Sequence, residues 1–159
     1  MEYRKLGKSD LDISVITLGT WAYGSENFWG KVSEKDVKQV ITKAVNGGIN
    51  VIDTAIGYGD SEVLVGKAIK NFREKVIVAS KGGADPKKVP HGVDLSLKRL
   101  GLDCIDLYQV HYPDIDIPIE YTIEAMDKIK KQGKIKYIGV SNFSVEQLKK
   151  AISVADVVS

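Results

Sequence analysis

Apolar residues fall into two patterns along this chain, short unbroken runs and stripes at helical spacing, and the two alternate. Residues 13–19 (ISVITLG) form a β-branched run ending in glycine, which predicts a strand. Ser33 and Glu34 then open a stretch in which Val37, Ile41, Ala44 and Val45 share one face. Gly47 and Gly48 stop it, as expected for an amphipathic helix. The alternation predicts further strands over residues 50–54 (NVIDT), 76–80 (VIVAS), 104–111 (CIDLYQVH) and 136–141 (KYIGVS). It predicts helices over residues 61–70, over 90–100 with Pro90 in the first turn, and over 145–152. Another helix is striped by Ile119, Ile123, Met126 and Ile129 and closed by Gly133, and residues 156–159 begin one more strand. Strand runs without polar alternation indicate burial on both faces, hence a parallel sheet covered by helices.

The pattern amounts to five βα units and the start of a sixth, with no linker or low-complexity stretch to divide them. The 159 residues therefore read as one domain. Two architectures fit. An open, doubly wound sheet suits the length, whereas a (β/α)8 barrel suits the pattern but usually needs roughly 250 residues.

Composition narrows the class further. With 43% hydrophobic and 28% charged residues the chain is an ordinary globular one. A net charge of +2 leaves no excess for a strongly basic face, so neither nucleic acid nor an anionic membrane is an expected partner. No run approaches the roughly 18 apolar residues of a membrane span, and the first residues lack a signal-peptide core. A single cysteine, Cys104, has no internal disulfide partner, and a cytoplasmic location is expected. With that cysteine and only His91 and His111, a metal site is poorly stocked, and none is expected. The Gly-rich nucleotide loops and the G-x-S-x-G elbow are absent.

Candidate chemistry sits where strands end. Asp53 closes the second predicted strand and Tyr58 follows in its loop; Lys81 follows VIVAS, His111 ends CIDLYQV, and Ser141 and Asn142 end KYIGV. Singly, each has a bland reading: Asp53 as a turn cap, Tyr58 as a surface aromatic of a Gly-rich loop, His111 as a core histidine. A lysine after an apolar strand is harder to dismiss, because lysine is seldom buried without a partner. Both architectures place active sites at this pole. There Asp53 would hold the Lys81 ammonium, whose charge would favour proton release from the Tyr58 phenol to a developing alkoxide. His111 would orient a carbonyl oxygen through a hydrogen bond. Nothing in the set is a redox centre, so a hydride would have to come from a bound cofactor. The rivals at this point are a Schiff-base lysine of an aldolase-type barrel and a non-catalytic binding module.

Four segments together resemble the aldo-keto reductase family along the whole chain. YRKLGKSDLDISVITLGTW resembles its N-terminal β-hairpin and first strand, and GINVIDTAIGYGDSEVLVGKAI its Asp-and-Tyr signature. LGLDCIDLYQVHYPD resembles its His strand, and GKIKYIGVSNFS its Ser-Asn strand. The resemblance implies a (β/α)8 barrel that binds NADP(H) and reduces aldehydes or ketones. It puts the catalytic tetrad on Asp53, Tyr58, Lys81 and His111, the residues chosen from the strand ends. It puts cofactor contacts on Gly19, Thr20, Trp21, Asp53, Ser141 and Asn142. Two departures stand out: the stretch 82–89 is short, and the sequence stops at the sixth strand. The expected fold is therefore an incomplete (β/α)8 barrel with weakened cofactor binding, open to a second copy or a complementing chain along its exposed edge.

Overall fold

The computed structural model describes residues 1–158, with Phe28 described by its backbone alone. Two strands, β1 (Tyr3–Lys5) and β2 (Asp12–Ser14), pair as an antiparallel hairpin. Then follow β3 (Leu18–Gly19), the short helices α1 (Trp21–Gly24) and α2 (Glu26–Trp29), α3 (Glu34–Asn46) and β4 (Val51–Asp53). Next come α4 (Ser61–Ile69), a 3-10 turn (Arg73–Lys75), β5 (Ile77–Gly82), α5 (Val89–Leu100) and β6 (Ile105–Val110). The last elements are α6 (Ile119–Lys131), β7 (Ile135–Val140) and α7 (Val145–Val154). The strands β3-β4-β5-β6-β7 form one parallel sheet in sequence order, each joined to the next by a helical crossover, which makes the fold part of an α/β barrel.

The predicted strand over residues 13–19 is corrected by the structure. Its first part turns back into the hairpin, and only Leu18 and Gly19 join the barrel sheet. The reason lies in polar contacts invisible to hydropathy. The Ser14 backbone N–H donates to Asn50 Oδ1 at 2.7 Å, and the Asn50 amide donates to the Asp12 carbonyl at 2.8 Å, fixing the hairpin at the sheet's N-terminal end. Helices α1 and α2 carry no apolar stripe and were not foreshadowed. The expected sixth strand appears as an isolated parallel bridge between Ile138 and Val157, with the Val158 N–H donating to the Ile138 carbonyl; Ser159 lies outside the described residues.

Helix boundaries follow local chemistry. Ser33 caps α3 by accepting from the Asp36 N–H, and Ser144 with Gln147 forms a reciprocal capping box on α7. Pro90 sits in the first turn of α5, where a missing N–H costs nothing, and Gly101 ends that helix at φ 65°, a left-handed conformation suited to glycine.

The sheet separates two apolar layers. Ile52, Val78, Tyr108 and Ile138 pack outward against helix residues including Ile41, Val65, Val93 and Ile123. Ala79 and Leu107 pack on the other face with Leu6, Tyr137 and Val158. Period-two alternation then assigns Asp53, Ala79, Lys81, Leu107 and Gln109 to that inner face.

Candidate active site

Strand register brings the predicted residues together. Asp53 is level with Ala79, and Lys81 stands two residues farther along the same face; Lys81 is level with Gln109, and His111 stands two residues beyond. Ladder hydrogen bonds continue past the strand ends: Ile56 N–H to the Lys81 carbonyl at 3.0 Å, His111 N–H to Gly82 at 2.8 Å and Ser141 N–H to Val110 at 2.8 Å. These bonds fix where each side chain emerges at the C-terminal mouth.

Lys81 is 7% exposed, and its ammonium donates to Asp53 Oδ1 at 2.5 Å and to the Thr54 carbonyl at 3.0 Å. A lysine so deeply placed needs such acceptors, because an unpaired buried ammonium is strongly unfavourable. The same nitrogen stands 5.1 Å from the centroid of the Tyr58 ring. Tyr58 meets His111 edge-on with ring centroids 5.6 Å apart, and His111 stacks on Tyr112 at 4.7 Å. Partial burial holds the His111 imidazole below its ordinary value of 6.5; the Lys81 charge lowers it further and Asp53 opposes the shift. His111 is therefore neutral at physiological pH.

The remaining predicted residues divide by exposure. Gly19 and Trp21 are exposed, and Trp21 packs edge-on against Trp29 at 6.1 Å. Thr20 is fully buried, and its hydroxyl donates to the Asp53 carbonyl at 2.8 Å, so its side chain braces the end of β4. Asn142 adopts a left-handed φ of 61°, with its amide nitrogen donating to the His111 carbonyl at 2.8 Å and to Ser141 Oγ at 3.0 Å. The Asn142 carbonyl oxygen and the Ser141 hydroxyl then supply an acceptor and a donor side by side. That pair matches a primary carboxamide, so these residues fit a nicotinamide ring.

Several contributors carry no obvious sequence signal. A Cβ added to Gly24 would fall 2.5 Å from the Tyr58 carbonyl carbon, and one on Gly59 (φ 51°) would strike the Gly24 carbonyl. Two glycines thus let α1 and the Tyr58 loop touch backbone to backbone. The Ser61 hydroxyl lies 2.8 Å from Thr20 Oγ1 and 3.0 Å from Thr54 Oγ1, tying two strand ends to α4. Gln109, nearly buried and level with Lys81, is a polar residue inside an otherwise apolar run, and that interruption could have flagged it. Cys104 is half-buried, with its thiol pushed up by burial and by Asp106. No group of three or more His, Cys, Asp or Glu able to hold a metal ion occurs among the described residues.

A sequence profile of the aldo/keto reductase family matches residues 15–159. The chain belongs to the aldo/keto reductase family. It is similar to the aldo-keto reductase YhdN of Bacillus subtilis strain 168, at 45% identity, covering 93% of this chain and 49% of that protein. It is also similar to the NADH-specific methylglyoxal reductase of Escherichia coli K12, at 35% identity, with 91% and 53% covered. Among solved structures, the thermostable aldo-keto reductase Tm1743, in complex with the inhibitor epalrestat, superposes with a TM-score of 0.89 at 36% identity, covering 99% of this chain and 61% of that one. The holo form of the aldo-keto reductase AKR11C1 from Bacillus halodurans gives 0.87 at 34% identity, with 99% and 55% covered. The chain spans about half the length of the curated relatives it matches. No helix among the described residues is long and apolar enough to cross a membrane.

Proposed function

We propose that this chain carries the catalytic residues of a carbonyl reductase, in which an aldehyde or ketone becomes an alcohol with Tyr58 as proton donor and NADP(H) as cofactor. The observation that carries the reading is the convergence of Asp53, Tyr58, Lys81 and His111 on one face at one end of the sheet. The substrate carbonyl oxygen lies between the Tyr58 hydroxyl and the neutral His111 imidazole, which orients it through a donated hydrogen bond. Tyr58 gives its proton to the oxygen as charge develops there, and the fixed Lys81 ammonium stabilises the phenolate left behind. Asp53 and the Thr54 carbonyl keep that ammonium in place. Ser141 and Asn142 would hold the nicotinamide carboxamide, and the dinucleotide supplies the hydride. Trp21, Trp29 and Tyr112 add exposed aromatic surface for the substrate's apolar part. A Schiff-base role for Lys81 is disfavoured, since its nitrogen is engaged by two acceptors beside a proton donor.

NADPH and NADH oxidation with a panel of aldehydes and ketones tests the proposal, with Tyr58→Phe as the decisive control. Loss of turnover by about 100-fold or more with nucleotide binding retained is expected. Unchanged turnover in Tyr58→Phe would refute it. Because a relative carries NADH in its name, the two nucleotides are compared directly.

A further inference from the structure

Behind the mouth, on the helix side of the sheet, lies a second polar cluster that the proposed chemistry does not use. Glu62, in the first turn of α4, is completely buried. Its Oε1 accepts from the Ser80 hydroxyl at 2.6 Å, and its Oε2, without a hydrogen bond, lies 3.7 Å from Arg99 Nη1. Arg99 Nη1 also donates to the Ile56 carbonyl at 3.0 Å. A buried carboxylate beside an arginine is expensive to desolvate and adds little net stability over an apolar pair, so its presence calls for a positional explanation. Its attachments supply one. Ser80 immediately precedes Lys81 on β5, and Ile56 lies two residues before Tyr58, with its own N–H bonded to the Lys81 carbonyl. One ion pair thus grips β5 at the residue before the lysine and, through the arginine, the loop that carries the tyrosine.

We propose that Glu62 and Arg99 are positioning residues that set the Lys81–Tyr58 separation from outside the mouth. The inference rests on the reductase reading for its functional meaning, while the geometry it predicts can be measured without turnover. Both residues act through main chain and Ser80, and neither contacts substrate. Losing either partner lets β5 and the Tyr58 loop drift apart, which moves the ammonium relative to the phenol and to His111.

The test uses the full chain and the titration of the His111 imidazole by proton NMR. In Glu62→Gln and in Arg99→Met the His111 midpoint is expected to rise, because displacement of Lys81 weakens a charge that helps hold it down. Where turnover is measurable, kcat should fall about tenfold with KM within about twofold. Arg99→Lys, which keeps the charge, should recover part of the shift. If Glu62→Gln fails to fold, Ser80→Ala, which removes one neutral hydrogen bond, should give a smaller shift of the same sign. Folded variants whose His111 midpoint stays at the wild-type value, even with lowered melting temperature, would mark the pair as purely structural and overturn the proposal. Absence of nucleotide binding and turnover in the wild type would count against the reductase reading alone and leave the titration result standing.

Discussion

Gly24→Ala is the sharpest perturbation that the geometry offers, because the added methyl has backbone on its far side. The new Cβ would lie 2.5 Å from the carbonyl carbon of Tyr58 and 2.9 Å from the Asp60 nitrogen, with the Tyr58 carbonyl oxygen nearer still. Carbon atoms pack comfortably at about 3.5 Å, so the carbonyl carbon alone demands a retreat of roughly 1 Å and the nearer oxygen demands more. The Tyr58 loop cannot retreat freely, since the Ser61 N–H holds the Tyr58 carbonyl at 2.9 Å and the Tyr58 N–H is held by Ala55 at 3.0 Å. A misplacement of that size at a proton donor costs on the order of 100-fold in turnover, and overpacking costs about 1–3 kcal/mol in stability. For a chain of this length each kcal/mol moves the melting temperature by about 2–4 °C. Steady-state kinetics of the proposed carbonyl reduction with NADPH and with NADH, alongside thermal melting, reads both effects. In a Tyr58→Phe background the kinetic penalty should nearly vanish while the melting penalty persists, because the methyl acts on catalysis only through that tyrosine. Wild-type kinetics in Gly24→Ala would refute the argument that this contact sets the tyrosine.

Three further outcomes are expected. Asp106 accepts from Arg73 Nη2 at 2.6 Å and from the Val78 N–H at 2.8 Å, so Asp106→Ala leaves a strand donor without its acceptor and the Arg73 guanidinium with only the Val76 and Cys104 carbonyls, and should cost about 1–3 kcal/mol by chemical denaturation; a change under about 0.5 kcal/mol would contradict this. Asp10 receives the Tyr137 hydroxyl at 2.7 Å and the Lys136 ammonium, which hold its carboxyl below 3.8, so the hairpin latch is fully present above that pH and lost as acidification passes through the lowered value. Hydrogen exchange in residues 3–14 should accelerate in Tyr137→Phe and, in the wild type, at acid pH, and identical protection would argue against a latch. Lys81→Met should raise the His111 midpoint toward 6.5 without reaching it, because burial is the larger cause and remains; NMR titration showing no rise would mean that the ammonium does not act on the imidazole.

Much of this protein is legible in its sequence. Asp53, Lys81 and His111 announced themselves as polar residues closing apolar strand runs, and the structure puts them on one inner face. The helix stripes were equally plain: Val37 and Ile41, and Ile123, Met126 and Ile129, are buried as their spacing predicts. Residues 13–19 misled, because an apolar β-branched run satisfies a hairpin edge as readily as a barrel strand. Glu62 was invisible, since a glutamate in the first turn of a helix usually faces water and here is fully buried against Ser80.

Sequence alone determined what is local or periodic in this chain: which stretches are strands or helices, where glycine, proline and serine end them, and which chemistry each strand carries to its end. Tertiary structure decided what depends on residues distant in the chain meeting in space. Parallel register aligned Asp53 with Ala79 and so put Lys81 within reach of its carboxylate. Backbone contact between Gly24 and the Tyr58–Gly59 turn aimed the phenol, and burial chose Glu62 as the anchor behind it. Hydropathy records how apolar a residue is. Register and close approach arise from packing between elements, and no local pattern encodes them.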